Sequence, residues 1–257
     1  MFVRPLKDPK KILAESGAII SGDHFVYKAG THGEAYINKE KFAMMGALKL
    51  KEVIDNAASA IIRFNSSDKE VGIAGPAMGA ITYALTMAVA LEEYYELQKV
   101  KDDLTLNGKT TRNFYPELFF PARTELKEDS TGKRIHVIPE KLKADYEGKS
   151  FIIFEDIVNN GTTIREVKEL LEKEVNARII GVICIADRGG QTAKSLGVEQ
   201  YSPLMRVNMA QHKAIECPLC AKGVPINTVL GKGKNWVNLF GQPPYKSGTD
   251  FSAFWEK

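Results

Sequence analysis

FIIFEDIVNNGTTI, residues 151–164, is the stretch on which the fold turns. It opens with four apolar residues, Phe151 to Phe154, which read as a short buried strand. Glu155 and Asp156 follow directly, and then the small polar loop Asn159-Asn160-Gly161-Thr162-Thr163. Beyond it, Ile164, Val167, Leu170 and Leu171 recur at helical spacing. The predicted unit is strand, loop, helix, with the strand at 151–154 ending at the acid pair. In open α/β sheets ligands bind outside the carboxyl ends of the strands. A helix N-terminus entered through small residues presents free N–H groups and a positive dipole end, which suits a phosphate. The two carboxylates are then placed for hydroxyl groups or a hydrated Mg²⁺. A solvated turn with a capping Thr is the plain alternative, and this loop alone does not separate the two.

Neighbouring segments repeat the pattern. VGIAGPAMGAITYALTMAVALEEYY (71–95) is a second strand, loop and helix, with the loop GPAMG at 75–79. RIIGVICIADRGG (178–190) is a third apolar strand running into charge. Residues 7–20 read as a helix leading into a loop, 22–42 as a β-hairpin and 43–63 as a helix. Residues 98–113 are polar and read as an exposed excursion, and 121–149 as a charged segment of little periodicity. The tail after about 223 is rich in Gly, Pro, Lys and aromatics, and its pattern assigns no element. Strands alternating with helices imply an α/β fold with a mainly parallel central sheet flanked by helices.

Composition sets the outer limits. The chain has 257 residues, 44% hydrophobic and 26% charged, which is ordinary for a globular protein. A net charge of +3 with no basic block gives no reason to expect nucleic-acid binding, though it allows a basic pocket for a phosphorylated substrate. No apolar stretch reaches transmembrane length and the N-terminus has no signal-peptide core, so no membrane association is expected. Three cysteines, an odd and low count, imply a reducing, cytoplasmic setting.

Three strand ends carrying polar loops fall on one edge of a parallel sheet. Two of the loops lead into helices, giving two phosphate sites with an acid pair beside one of them. A ligand with phosphates at two ends and a diol between them fits: phosphoribosyl pyrophosphate (PRPP). FEDIVNNGTTI resembles the PRPP-binding motif of type I phosphoribosyltransferases, and GIAGPAMGAITYA resembles their pyrophosphate loop. The Glu-Asp order, KAGTHGEAYIN (28–38), PARTELK (121–127), IADRGG (185–190) and ECPLCAKGVPINT (216–228) are similar to segments of the orotate branch. The matches keep chain order over roughly residues 17–230. Asn159 and Asn160 stand where the family has Thr, Thr124 where it has Lys, and no His follows Lys127.

The resemblance implies a single domain with hood elements over 1–42, a core over 43–212 and a C-terminal extension over 213–257. It implies transfer of the phosphoribosyl group of PRPP to orotate in pyrimidine synthesis, with Mg²⁺ held mainly by substrate and water, and a homodimer. The implied substrate contacts are Ala77, Met78 and Gly79 for pyrophosphate, and Glu155 and Asp156 for the ribose or hydrated metal. Asn159, Asn160, Gly161, Thr162 and Thr163 would cradle the 5′-phosphate. Arg188 would hold the orotate carboxylate, with Lys28 and Tyr36 near the base or PRPP. Arg123, Lys127 and Asp156 are the catalytic candidates. Plain alternatives stand beside several: Arg188 as a surface ion-pair residue, Lys127 as a solvated charge, Tyr36 as hairpin packing. Cys217 and Cys220 offer half of a zinc site, with His212 as a further ligand; lacking a fourth, they read as a reduced structural pair. A phosphoribosyltransferase for another base and a PRPP-sensing regulator without turnover remain open.

Overall fold

The structure is a computed structural model that describes residues 8–38, 41, 44–61, 64, 68–77, 79–106, 116–207 and 209–255. The chain divides into two compact units, one from the described residues of 1–9 and 51–207 and the other from those of 10–50 and 208–257.

Nine strands are found among the described residues: β1 Ile19–Val26, β2 His32–Ile37, β3 Glu70–Gly75, β4 Leu118–Arg123, β5 Glu125–Glu128, β6 Arg134–Val137, β7 Ser150–Val158, β8 Arg178–Asp187 and β9 Tyr201–Arg206. The α-helices are α1 Pro9–Glu15, α2 Ala47–Ile61, α3 Ile81–Leu106, α4 Lys143–Tyr146, α5 Thr162–Val175, α6 Ala193–Leu196, α7 Pro218–Ala221 and α8 Gly233–Phe240.

In the first unit the sheet has the order β4-β3-β7-β8-β9, with every pair parallel. The strand order therefore reverses between β3 and β7, and the crevice beyond the carboxyl ends of these two strands is the topological switch point. Parallel strands covered on both faces are apolar without alternation; β7 and β8 are buried along nearly their whole length. One face is packed by α5, whose Ile164, Val167, Leu171 and Val175 join Phe151, Ile153, Val182 and Cys184 in one cluster. Phe154, of opposite parity to Ile153, meets Tyr83 of α3 edge-on at 6.2 Å. The side chains of Ala84, Met87, Ala88, Leu91 and Tyr95 line the buried stripe of α3 at helical spacing.

Three expectations change. The acid pair does not end its strand. β7 continues to Val158, because β8 keeps supplying partners as far as Val158 opposite Asp187. Residues 98–106 are not an excursion but the last turns of α3; the rest of that predicted segment, 107–113, lies outside the described residues. The segment after β4 holds an antiparallel hairpin, β5 with β6, closed by a turn in which the Asp129 carboxylate accepts from the amides of Thr131 and Lys133.

The second unit holds the antiparallel hairpin β1–β2 and the C-terminal segment. The unassigned tail forms an aromatic core. Trp236 is fully buried among Phe240, Phe251 and Phe254 at 4.8–5.1 Å, and its indole N–H donates to the Tyr245 hydroxyl at 2.8 Å. A buried indole stabilises in this way when its one donor finds an acceptor.

Candidate functional site

The carboxyl ends of β3, β7 and β8 bring three loops to one edge of the sheet. After β3 the chain turns through 76–80 into α3. After β7 it turns through 159–161 into α5. After β8 it turns through 188–192 into α6.

Glu155 and Asp156 are both buried, 8% and 4% exposed, an unusual state for carboxylates away from a ligand. Adjacent residues of an extended strand point to opposite faces, so the two do not lie side by side. Asp156 shares the face of Phe154 and of Tyr83, whose hydroxyl is pushed up to about 12 by burial and by the Asp156 charge. Its Oδ1 accepts from the amide of Ile157 at 2.6 Å, while Oδ2 reaches the loop after β3: a Cβ on Gly79 would stand 2.9 Å from it. The pyrophosphate-loop candidate and the acid pair therefore meet at the switch point. Glu155 takes the other face, where its Oε1 accepts from the amide of Asp156 at 3.0 Å.

The loop after β7 is shaped by its neighbours. Gly161 stands at the N-terminus of α5 with φ 73°, a left-handed conformation that a residue with a Cβ adopts at a cost. Asn160 turns its side chain toward the amide of Thr162 at 3.3 Å, and its carbonyl accepts from the Arg165 guanidinium at 2.8 Å. The Asn159 carbonyl accepts from Gln191 at 2.9 Å. Gly189 packs so closely there that a Cβ would fall 1.7 Å from the Asn159 oxygen, so the loops after β7 and β8 touch backbone to backbone. Asn160 and Thr162 are exposed and Asn159 and Thr163 half-buried, leaving this cradle open to a ligand.

Arg188 leaves β8 at the same edge, half-buried, with its amide donating to the Val158 carbonyl at 2.9 Å. Its neighbour Asp187 is buried, accepts from Arg206 at 2.6 Å and from the amide of Gly189 at 3.0 Å, and so sets the course of the loop that carries Arg188. Sequence reasoning did not single out Arg206 or Gln191, since neither lies in a motif. Only β8–β9 pairing, which sets Asp187 opposite Arg206, brings that pair together.

Arg123, at the end of β4, pairs with Glu125 at 3.3 Å, both partly exposed. Lys127 is exposed on β5, opposite Ile135 of β6. Met78 lies outside the described residues. Lys28 and Tyr36 belong to the other compact unit: Lys28 is exposed in the turn after β1, and Tyr36 packs on Phe25 at 5.4 Å.

Thr124, the departure from the family pattern, is 1% exposed. Its hydroxyl accepts from the amide of Ala77 at 3.3 Å and lies 2.9 Å from Nδ1 of His136 on β6. Burial holds the His136 imidazole below its usual pKa, with Glu166 opposing, which leaves a neutral ring suited to sharing one proton with a hydroxyl. No motif in the sequence marks His136; strand pairing across twelve residues is what delivers it. Thr124→Val keeps the shape and removes the hydroxyl that links this loop to the hairpin. It is expected to lower unfolding free energy by about 1 kcal/mol in urea denaturation, the worth of a partly buried hydrogen bond. A loss below the error of the fit would show the link to be incidental.

Mg²⁺ takes oxygen ligands, and the buried Asp156 carboxylate, near the carboxyl end of β7 and beside the Gly79 loop, fits that requirement. Among the described residues no helix is long and apolar enough to cross a membrane.

Comparison with known proteins agrees with this architecture. The chain is 28% identical over 223 residues to an orotate phosphoribosyltransferase of Carboxydothermus hydrogenoformans, covering 85% of this chain and 94% of that protein. It is 24% identical over 227 residues to an orotate phosphoribosyltransferase of Thermotoga maritima, covering 87% and 98%. The crystal structure of an orotate phosphoribosyltransferase from Aeropyrum pernix shares the fold, with a TM-score of 0.50 at 17% identity over 77% of this chain and 92% of that one. The family model described as phosphoribosyl transferase domain matches residues 47–200, more than half of the chain and the whole run from β3 to α6 that carries the three loops, so this protein belongs to the phosphoribosyltransferase family.

Proposed function

We propose that this protein transfers the phosphoribosyl group of PRPP to orotate, releasing pyrophosphate and forming orotidine 5′-phosphate, a step of pyrimidine synthesis. The observation that carries the reading is the switch-point crevice, where Asp156 meets the Gly79 loop and the open N-terminus of α5 lies beside it. The near full-length similarity to proteins named orotate phosphoribosyltransferase supports the choice of base.

In this reading the amides of Thr162 and Thr163, with the Asn159–Gly161 turn, take the 5′-phosphate at the positive end of α5. Asp156 and Glu155 orient the ribose hydroxyls, directly or through the water shell of Mg²⁺, whose charge helps neutralise the leaving pyrophosphate. Displacement at the ribose carbon builds negative charge on that leaving group, so donors aimed there lower the barrier. The loop at 76–80 offers backbone amides from one side. Arg123 and Lys127 supply the cations, Lys127 from an exposed hairpin position. The amide of Ala77 already donates to Thr124, so a phosphate taking that amide competes with the hydroxyl. Arg188 meets the orotate carboxylate with two parallel hydrogen bonds. The family resemblance assigns Lys28 and Tyr36 to the base or PRPP.

The family resemblance supports a homodimer, which light scattering of the purified protein would check. Three cysteines without a disulfide support a cytoplasmic setting.

One observation favours a second reading, a PRPP-binding protein without turnover: Thr124 stands in place of a family lysine and is occupied by structural contacts. Incubation with PRPP, Mg²⁺ and a panel of bases separates the readings. Consumption of orotate with release of pyrophosphate is the expected result. PRPP binding with no base consumed would select the second reading, and preference for a purine or uracil would replace orotate.

A further inference from the structure

We propose that His24, His32, Cys217 and Cys220 hold one structural zinc ion. All four are buried, and one ligand atom from each lies within 4.8 Å of the others. Nε2 of His24 is 3.0 Å from Nδ1 of His32 and 3.6 Å from the Sγ atoms of both Cys217 and Cys220. Cys220 Sγ is 3.2 Å from Nδ1 of His32. A tetrahedral zinc with ordinary bond lengths sets its ligand atoms about 3.3 Å apart for two nitrogens and about 3.6 Å for nitrogen and sulfur. The observed separations are those of a ligand shell already close to its final size.

The surroundings fit a metal better than a bare polar cluster. Nδ1 of His24 lies 2.8 Å from the Val224 carbonyl, so this nitrogen carries the proton and Nε2 turns a lone pair inward. The backbone of His32 is fixed by a pair of hydrogen bonds with His212, at 2.8 and 2.9 Å, and its ring meets Trp236 edge-on at 4.7 Å. His212, the ligand expected from the sequence, is half-buried outside the group and serves only to place His32. Two thiols and two imidazoles facing one point are the donor set of a tetrahedral zinc site, and binding the ion displaces the thiol protons. Two sulfur and two nitrogen ligands select zinc over the hard ions that phosphates bring. With four protein ligands the site is closed, so it holds structure and performs no chemistry on substrate. It joins the β1–β2 hairpin to a segment about 190 residues later, beside the Trp236 cluster of this small unit.

The test reads metal directly and is independent of catalysis. Protein purified under reducing conditions without chelator is expected to contain about one zinc per chain by mass spectrometry. After removal of the metal and addition of Co²⁺, visible bands of tetrahedral cobalt and a sulfur-to-cobalt charge-transfer band are expected. Cys220→Ser and His32→Gln should lose the metal, while Cys184→Ser, buried in the other unit, should keep it. Should the variants fail to fold, the cobalt spectrum of the unaltered chain still decides. A zinc content below about a tenth per chain after reconstitution with zinc sulfate, or an octahedral cobalt spectrum, would overturn the assignment.

Discussion

Asp156→Asn is expected to lower kcat/KM for PRPP by about 1–3 kcal/mol, roughly 5- to 150-fold, with little change in melting temperature. The substitution keeps size and retains an oxygen for the Ile157 amide, so the local backbone has no reason to move. What it removes is the charge beside the Gly79 loop, at the one place where the strand order reverses. A carboxylate accepts from two ribose hydroxyls or from metal-bound water; an amide accepts with one atom and turns a donor toward them. The loss should fall on PRPP, leaving the KM for orotate nearly unchanged. The matching change at Glu155, on the other face of the strand, need not have the same size, and comparing the two measures how the strand divides their roles. Unaltered PRPP kinetics in a folded Asp156→Asn protein would remove this carboxylate from the site.

Arg188→Lys should raise the KM for orotate far more than that for PRPP. The expected loss is about 1.5–3 kcal/mol, the range for hydrogen bonds to charged groups. A planar guanidinium matches a planar carboxylate with two parallel bonds, whereas an ammonium offers a point charge. The backbone that carries the residue is held from behind. Asp187 is anchored by Arg206 and by the amide of Gly189, and the Arg188 amide is bonded to the end of β7. Lysine at 188 would keep that backbone, so the experiment isolates the side chain. Uracil, lacking the carboxylate, should be a poor substrate of the unaltered enzyme. An orotate KM unmoved by Arg188→Lys would leave PRPP use standing and take base recognition elsewhere.

Local pattern alone carried a good part of this molecule. The apolar run at 151–154, the loop of small residues and the helical spacing after Ile164 identify β7, its turn and α5 without any partner, because periodicity and loop chemistry are properties of the chain itself. The same logic reached the hairpin at 22–42 and the strand that leads into Arg188. The course of α3 to Leu106 was not legible: the polarity of the run from 98 reads as an excursion, although no Gly or Pro interrupts the helix before Leu106.

Other features exist only because distant segments meet. β7 runs on through its two acids because β8 is long enough to pair with them, and that extension turns two adjacent carboxylates to opposite faces. Contact between the Gly79 loop and Asp156 follows from the order of strands in the sheet, which no local spacing encodes. Thr124 reads as a lost lysine until the β5–β6 hairpin sets His136 against it. The metal ligands show the limit most plainly. Cys217 and Cys220 declare themselves as a pair three residues apart, but His24 and His32 carry no metal spacing. They become ligands only when pairing of β1 with the 226 region and of β2 with His212 closes a loop of nearly the whole chain. A sequence records which side chains are available; burial and strand pairing decide which of them share a point in space.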